Sequence, residues 1–176
     1  MKQCLIVVDY QNDFIDGALG FDEALQIEAA IVDKIKAYRL LNADILFTQD
    51  THDEDYLETE EGKHLSIVHC LKGTYGHEIK SSIKKLMDKD DKIFIKHTFP
   101  SLELGQYLKE IGYDIIELVG LVSNICVLSN AVIAKAACPN ARIIVDASCT
   151  ASFDSDLHQK ALDIMEGIHI NIKNRG

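Results

Sequence analysis

The chain has 176 residues, 28 acidic against 18 basic side chains, a formal charge of -10, five cysteines, no tryptophan and 47% hydrophobic residues. That length suits a single domain, 1–176, burying roughly 70% of its unfolded surface, so folding requires neither a disulfide framework nor a structural metal. The acidic balance repels nucleic-acid phosphates and anionic headgroups, which excludes nucleic acid and membrane surfaces and leaves a small molecule as the expected partner.

The start, Met-Lys-Gln-Cys, runs directly into an apolar strand pattern over 5–8 rather than into a cleavable leader. That run is far shorter than the ~20 apolar residues of a membrane span. The odd cysteine count without a CxxC pair fits a reducing compartment, so a cytoplasmic protein is expected. Further along, Ile27, Ile31, Ile35 and Tyr38 recur at helical spacing, and a strand follows over 45–47. Ile79, Ile83 and Leu86 predict a second crossover helix before a strand over 93–95, and Leu102, Leu108 and Ile111 predict a third before 115–119. A helix is expected over 123–137 with Ser123 or Asn124 as N-cap, then strands over 143–145 and 168–172. Continuously apolar strands separated by helices indicate a sheet covered on both faces. The predicted fold is therefore three-layer α/β, an αβα sandwich around a six-stranded, mainly parallel sheet. No repeat or linker interrupts it, and the charge runs over 58–61 and 88–92 read as solvated turns.

One segment departs from this rhythm. From Asp50 to Gly76 the chain is polar and weakly periodic, and long loops in compact domains are usually functional or disordered. It holds His52, His64 and His69, with His77 just beyond, and is read as an ordered site loop.

Ligands of open parallel sheets bind beyond the carboxyl ends of the strands. Asp9, Asp50 with His52, Lys96, and the segment from Gly120 to Cys126 all occupy those ends. A thiol early in a helix feels the positive macrodipole end, which favours thiolate, although a single cysteine also packs well as an inert core residue. Convergence with a carboxylate and an ammonium supplies what a thiol nucleophile needs, whereas Cys4, Cys138 and Cys149, the last placed after strand five, read as packing residues. Asp50, His52 and His69 form a reasonable set for zinc, iron or manganese, and Glu58, Glu60, Glu61 and His64 offer further ligands. A polar surface loop is the plain alternative.

Several motifs then carry a resemblance. Asp9-Tyr10-Gln11-Asn12-Asp13-Phe14, Thr48-Gln49-Asp50-Thr51-His52, the stretch from His69 to Gly76, Lys96-His97-Thr98-Phe99 and Gly120 to Val127, in that order, resemble the isochorismatase-like cysteine hydrolases, nicotinamidases in particular. The resemblance implies a catalytic triad of Asp9, Lys96 and Cys126 that cleaves nicotinamide or a similar small amide to acid and ammonia through a thioester. It implies a cis Leu121–Val122 peptide and an oxyanion hole from the Val122 and Cys126 amides. It further implies a divalent metal, zinc or alternatively iron or manganese, on Asp50, His52 and His69, with Glu61 a fourth candidate. Phe14 would wall the substrate pocket, and a homo-oligomer is expected.

Departures bear on substrate. Nicotinamidases often carry Trp-Pro where this chain has Ser66-Ile67-Val68, and Asp-Trp-His-Pro is Asp50-Thr51-His52-Asp53 here. Isochorismatases proper lack the nucleophilic cysteine, so Cys126 argues against vinyl-ether hydrolysis. An N-carbamoyl or other small-amide hydrolase, and a noncatalytic binding member, are the competing readings. A redox thiol is disfavoured because no CxxC resolving partner is present.

Overall fold

The computed structural model describes residues 1–175. Its strands are β1 (Gln3–Val8), β2 (Asp44–Asp50), β3 (Lys92–Lys96), β4 (Ile115–Leu121), β5 (Arg142–Ala151) and β6 (Asn171–Lys173). The helices are α1 (Asn12–Ile15), α2 (Asp22–Gln26), α3 (Glu28–Leu40), α4 (Glu60–His64), α5 (Ser81–Lys84), α6 (Leu102–Ile111), α7 (Leu128–Ala137) and α8 (Ser155–Gly167). All strand pairings are parallel in the order β3-β2-β1-β4-β5-β6.

Both faces of the sheet are apolar because side chains alternate along each strand. In β1, Cys4, Ile6 and Val8 join a core with Leu104 and Leu108 of α6, Ala131 and Ala134 of α7, and Leu162 and Met165 of α8. Leu5 and Val7 point the other way, into a core with Ile31, Ile35 and Tyr38 of α3. Covering helices on both sides are what turn the strands into continuous hydrophobic runs. Chain order reverses between β1 and β4, so their carboxyl ends diverge into a crevice, the usual binding position in such sheets.

Four expectations need correction. The helix on Ile79, Ile83 and Leu86 is only the single turn α5, because this crossover is mostly loop and is pinned by the Gln11–Ile79 bridge and by the Lys80 amide donating to the Tyr10 carbonyl at 2.9 Å. The expected helix over 123–137 begins as a π-helical turn, Ser123–Val127, and becomes α-helical only at Leu128; its N-cap is Val122, with no side-chain cap. Cys149 lies inside β5 rather than after it, because β5 shifts register against β4 between Leu118 and Gly120 and continues to Ala151. The last strand starts at Asn171, since Ile168 caps α8 and His169 takes a left-handed φ of 66°.

Helix α8 was outside the predicted elements, although Asp154 caps it by accepting from the Leu157 amide at 2.9 Å. No helix among the described residues is long and apolar enough to cross a membrane.

Candidate active site

Three strand ends and one turn meet at the crevice. Asp9 leaves β1 with a φ of 44°, and Thr48 of β2 donates its hydroxyl to Asp9 Oδ1 at 2.6 Å while accepting from the Asp9 amide at 3.2 Å. Lys96 ends β3, and its Nζ stands 2.6 Å from Asp9 Oδ2, 3.0 Å from Asp50 Oδ1 and 3.6 Å from Cys126 Sγ. The same ammonium donates to the Thr98 carbonyl at 3.0 Å. Asp9, Lys96 and Cys126 are 0%, 3% and 6% exposed, so their charges act with little water to screen them.

Burial raises the Asp9 carboxyl above its ordinary range, with Asp50 adding to the rise and Lys96 opposing it. Burial also disfavours the Lys96 charge, but the Asp9, Cys126 and Asp50 charges outweigh it and hold the ammonium protonated. Burial pushes the Cys126 thiol well up, with Lys96 opposing. The helix expected to carry Cys126 opens as the π-turn Ser123–Val127, so the thiol lies in that turn, directly ahead of α7, with burial opposing and Lys96 favouring its thiolate. Such a thiol must lose its proton during the reaction, and Asp9 is the adjacent carboxylate able to take it.

Beside this pole lies a second cluster. Asp50, His52, Glu61 and His69 each offer one ligand atom, all within 4.8 Å of one another. His52 Nε2 is 3.0 Å and His69 Nε2 3.5 Å from Asp50 Oδ2, and both face Glu61 Oε1, at 3.7 and 3.8 Å. His69 Nδ1 pairs with the Ile67 carbonyl at 2.8 Å, which leaves Nε2 as the lone-pair nitrogen aimed at the cluster. Burial raises the Asp50 carboxyl, but His52, His69 and Lys96 outweigh it and hold it below its ordinary range. Glu61 Oε2 is buried with no hydrogen-bond partner among the described residues.

Asp9, Asp50 and Glu61 against Lys96 leave two net negative charges, which suits a divalent cation on Asp50, His52, Glu61 and His69. The 58–61 run is thus not simply solvated: Glu58 and Glu60 are exposed, whereas Glu61 turns inward. His64 pairs with Glu60 at 3.2 Å on the exposed side of α4, and neither joins the ligand group.

A cavity of about 780 Å³ connects the two poles, with Cys126 and Val122 on one side and Asp50, Glu61 and His69 on another. Phe14 lines it, edge-on to the His69 ring at 5.6 Å between centroids, and Leu19, Ile67, Phe99, Ile125 and Phe153 make the rest largely apolar. No lysine or arginine lines it among the described residues. The Leu121–Val122 peptide is cis.

Several supporting residues received no role from the sequence. Gln11 clasps the Asp50 main chain, donating to its carbonyl and accepting from its amide, each at 2.8 Å, and also donates to the His77 carbonyl at 2.8 Å. Asn12 donates to the Tyr75 carbonyl at 2.8 Å, and Asp13 accepts from the Cys70 amide at 2.7 Å. Consecutive Gln-Asn-Asp behind a buried strand was the available signal, since amides and carboxylates there must find backbone partners. Ser123 Oγ pairs with His158 Nδ1 of α8 at 2.8 Å, and Asn130 of α7 holds the Cys126 carbonyl; nothing local in the sequence links those pairs.

The isochorismatase domain model matches residues 3–172. An uncharacterized isochorismatase family protein, PncA of Bacillus subtilis (strain 168), is 33% identical over 174 residues, covering 92% of this chain and 93% of that protein. The crystal structure of nicotinamidase PncA from Bacillus subtilis superposes with a TM-score of 0.87 at 29% identity, covering 99% of this chain and 100% of that one. N-carbamoylsarcosine amidase from Thermoplasma acidophilum superposes with a TM-score of 0.82 at 26% identity, over 98% of this chain and 96% of that one. A six-stranded parallel sheet in the observed order and a matching domain along nearly the whole sequence agree: the chain belongs to the isochorismatase family.

Proposed function

We propose that this protein is a cysteine amidohydrolase that cleaves nicotinamide, or a similarly small uncharged aromatic amide, to the acid and ammonia. The observation that carries the reading is the approach of Asp9 and Cys126 to the Lys96 ammonium, with Cys126 itself lining a largely apolar cavity. The Asp9 carboxylate takes the Cys126 proton as the sulfur bonds to the amide carbon, and the carbonyl electron pair moves onto oxygen. The Val122 and Cys126 amides are assigned to that oxyanion. The C–N bond then breaks, Asp9 returns its proton to the leaving nitrogen, and ammonia departs from a thioester. Water attacks the thioester carbon, Asp9 accepts the water proton, and the thiol leaves as the acid forms. Lys96 remains protonated throughout, keeping Asp9 a base despite burial.

Asp50, His52, Glu61 and His69 are assigned as ligands of a divalent cation, whose Lewis acidity, when bound, draws a ring nitrogen and orients the ring. Phe14 supplies a flat apolar wall in place of the absent tryptophan. The structural neighbours include an N-carbamoyl amidase, so fold similarity alone does not select the substrate. The cavity wall favours the uncharged amide: no lysine or arginine lines it among the described residues to pair with a carboxylated carbamoyl substrate, and the site's net negative charge would balance a bound divalent cation.

The test is ammonia release from nicotinamide by metal-replete protein, beside Cys126→Ala and a chelated sample. Saturable release lost in both controls is the expected result. Turnover by Cys126→Ala would overturn the thioester, and turnover only with N-carbamoyl compounds would overturn the substrate.

A further inference from the structure

Asn130 sits in the first turn of α7 and is fully buried. A buried amide must satisfy both ends, and asparagine is a poorer helix former than leucine or alanine, so its bonds rather than its packing account for it here. Its Nδ2 donates to the Cys126 carbonyl at 2.8 Å and to the Phe99 carbonyl at 3.0 Å, and its Oδ1 accepts from the Ser101 amide at 3.0 Å. Every partner is main chain, and the two segments joined are the turn carrying the thiol and the loop leaving β3. That loop is also held by the site cation, since Lys96 Nζ donates to the Thr98 carbonyl at 3.0 Å. The thiol and the ammonium are therefore linked twice: directly, at 3.6 Å, and through Thr98, Phe99 and the Asn130 amide.

We propose that Asn130 is a positioning residue of the thiol site: its amide locks the Cys126 turn to the 98–101 loop and so fixes the separation of the Cys126 sulfur from the Lys96 ammonium. The proposal rests on Cys126 being the nucleophile. It does not depend on which amide is cleaved, because the reactivity of the thiol reports it without substrate. Lys96 of β3 is the cation beside that thiol, at 3.6 Å, and is itself held by Asp9 of β1 at 2.6 Å and Asp50 of β2 at 3.0 Å, so loosening the turn withdraws the sulfur from the charge that favours its thiolate.

The experiment compares wild type with Asn130→Ala, Asn130→Asp and Asn130→Ser in the metal-replete full chain. Alkylation of Cys126 by iodoacetamide is followed by peptide mass spectrometry across pH, alongside kcat for amide hydrolysis and thermal unfolding. The alanine and aspartate variants should move the alkylation midpoint upward by about one pH unit. Their kcat should fall about tenfold or more in protein that remains folded. Asn130→Ser is the discriminating variant, because a serine hydroxyl can bond back to the Cys126 carbonyl one turn earlier but cannot span to Phe99 and Ser101. It should behave like alanine; a wild-type profile for serine would overturn the bridge. A lowered melting temperature with an unmoved alkylation midpoint and unchanged kcat would make Asn130 merely structural and also overturn it. If wild type fails to turn over nicotinamide, the alkylation profiles still decide, so failure of the substrate reading is distinguishable from failure of this one.

Discussion

Asp9 answers to two partners that pull its proton affinity in opposite directions. Burial raises the carboxyl, which makes it a stronger base once ionised, while Lys96 at 2.6 Å opposes the rise and favours the ionised form. Asp9→Asn removes the proton acceptor yet leaves Lys96 paired with Asp50 at 3.0 Å, so the buried ammonium keeps a counter-charge and the fold should survive. Turnover should fall by on the order of 10²–10⁴ with the circular dichroism spectrum unchanged. Full activity in the asparagine variant would remove Asp9 from the proton path. At the same scale, Gly120 takes a φ of 109°, and a Cβ there would meet the Val8 carbonyl oxygen at 2.1 Å. Gly120→Ala should cost more than about 2 kcal/mol in denaturant unfolding, because β4 would have to move away from β1.

Among the elements, α3 does more than cover the sheet. Its Lys34 reaches between two buried carboxylates, Glu117 of β4 at 2.7 Å and Asp146 of β5 at 2.6 Å, and Tyr38 donates to Glu117 at 2.8 Å. Burial alone would raise the Asp146 carboxyl, but Lys34, Ser148 and Asn174 hold it below its ordinary range. A depressed folded value means that this carboxylate contributes stability above its unfolded pKa, about 3.9, and loses it as pH falls through the lower folded value. Asp146→Asn should therefore be less stable than wild type at neutral pH, and the gap should close in acid below about pH 4, as read by urea midpoints. Lys34→Met removes the nearest cation from both carboxylates, leaving Glu117 with Tyr38 and Lys173 and Asp146 with Ser148 and Asn174, and should cost about 1–3 kcal/mol at neutral pH.

The same elements explain what sequence could reveal. Asp9, Asp50, Lys96 and Cys126 were legible because parallel strands put their ends on one edge, and the apolar runs marked those ends. Glu61 was weakly legible: it sits in a charged run, and only the turn Tyr56–Glu58 followed by α4 brings its carboxylate inward. Asn130 and His158 were not legible, since each acts across a helix–turn contact whose partners are distant along the chain or hidden by an ordinary helical pattern. The local form of the Cys126 segment was hidden for a related reason: periodicity marks a helix from Ser123, and a π-turn over Ser123–Val127 leaves no separate mark in that pattern.

At the scale of the whole molecule, the charge of -10 becomes an argument about traffic through the cavity. On the proposed reaction an uncharged amide would approach without electrostatic bias, whereas the acid product would ionise and meet an acidic surface and a cavity whose bound divalent cation would be balanced by the site's own net negative charge. The field thus favours release of product over rebinding. The carboxylate product should inhibit only at concentrations well above the KM for the amide, and its inhibition should strengthen as salt rises from about 10 to 150 mM, where the screening length shortens from roughly 30 to 8 Å. The KM for the neutral amide should stay flat over that range. Steady-state inhibition at several ionic strengths checks this. Tight product inhibition that weakens with salt would mean that positive charge in excess of the site's carboxylates controls the cavity, and would turn the search back toward anionic substrates.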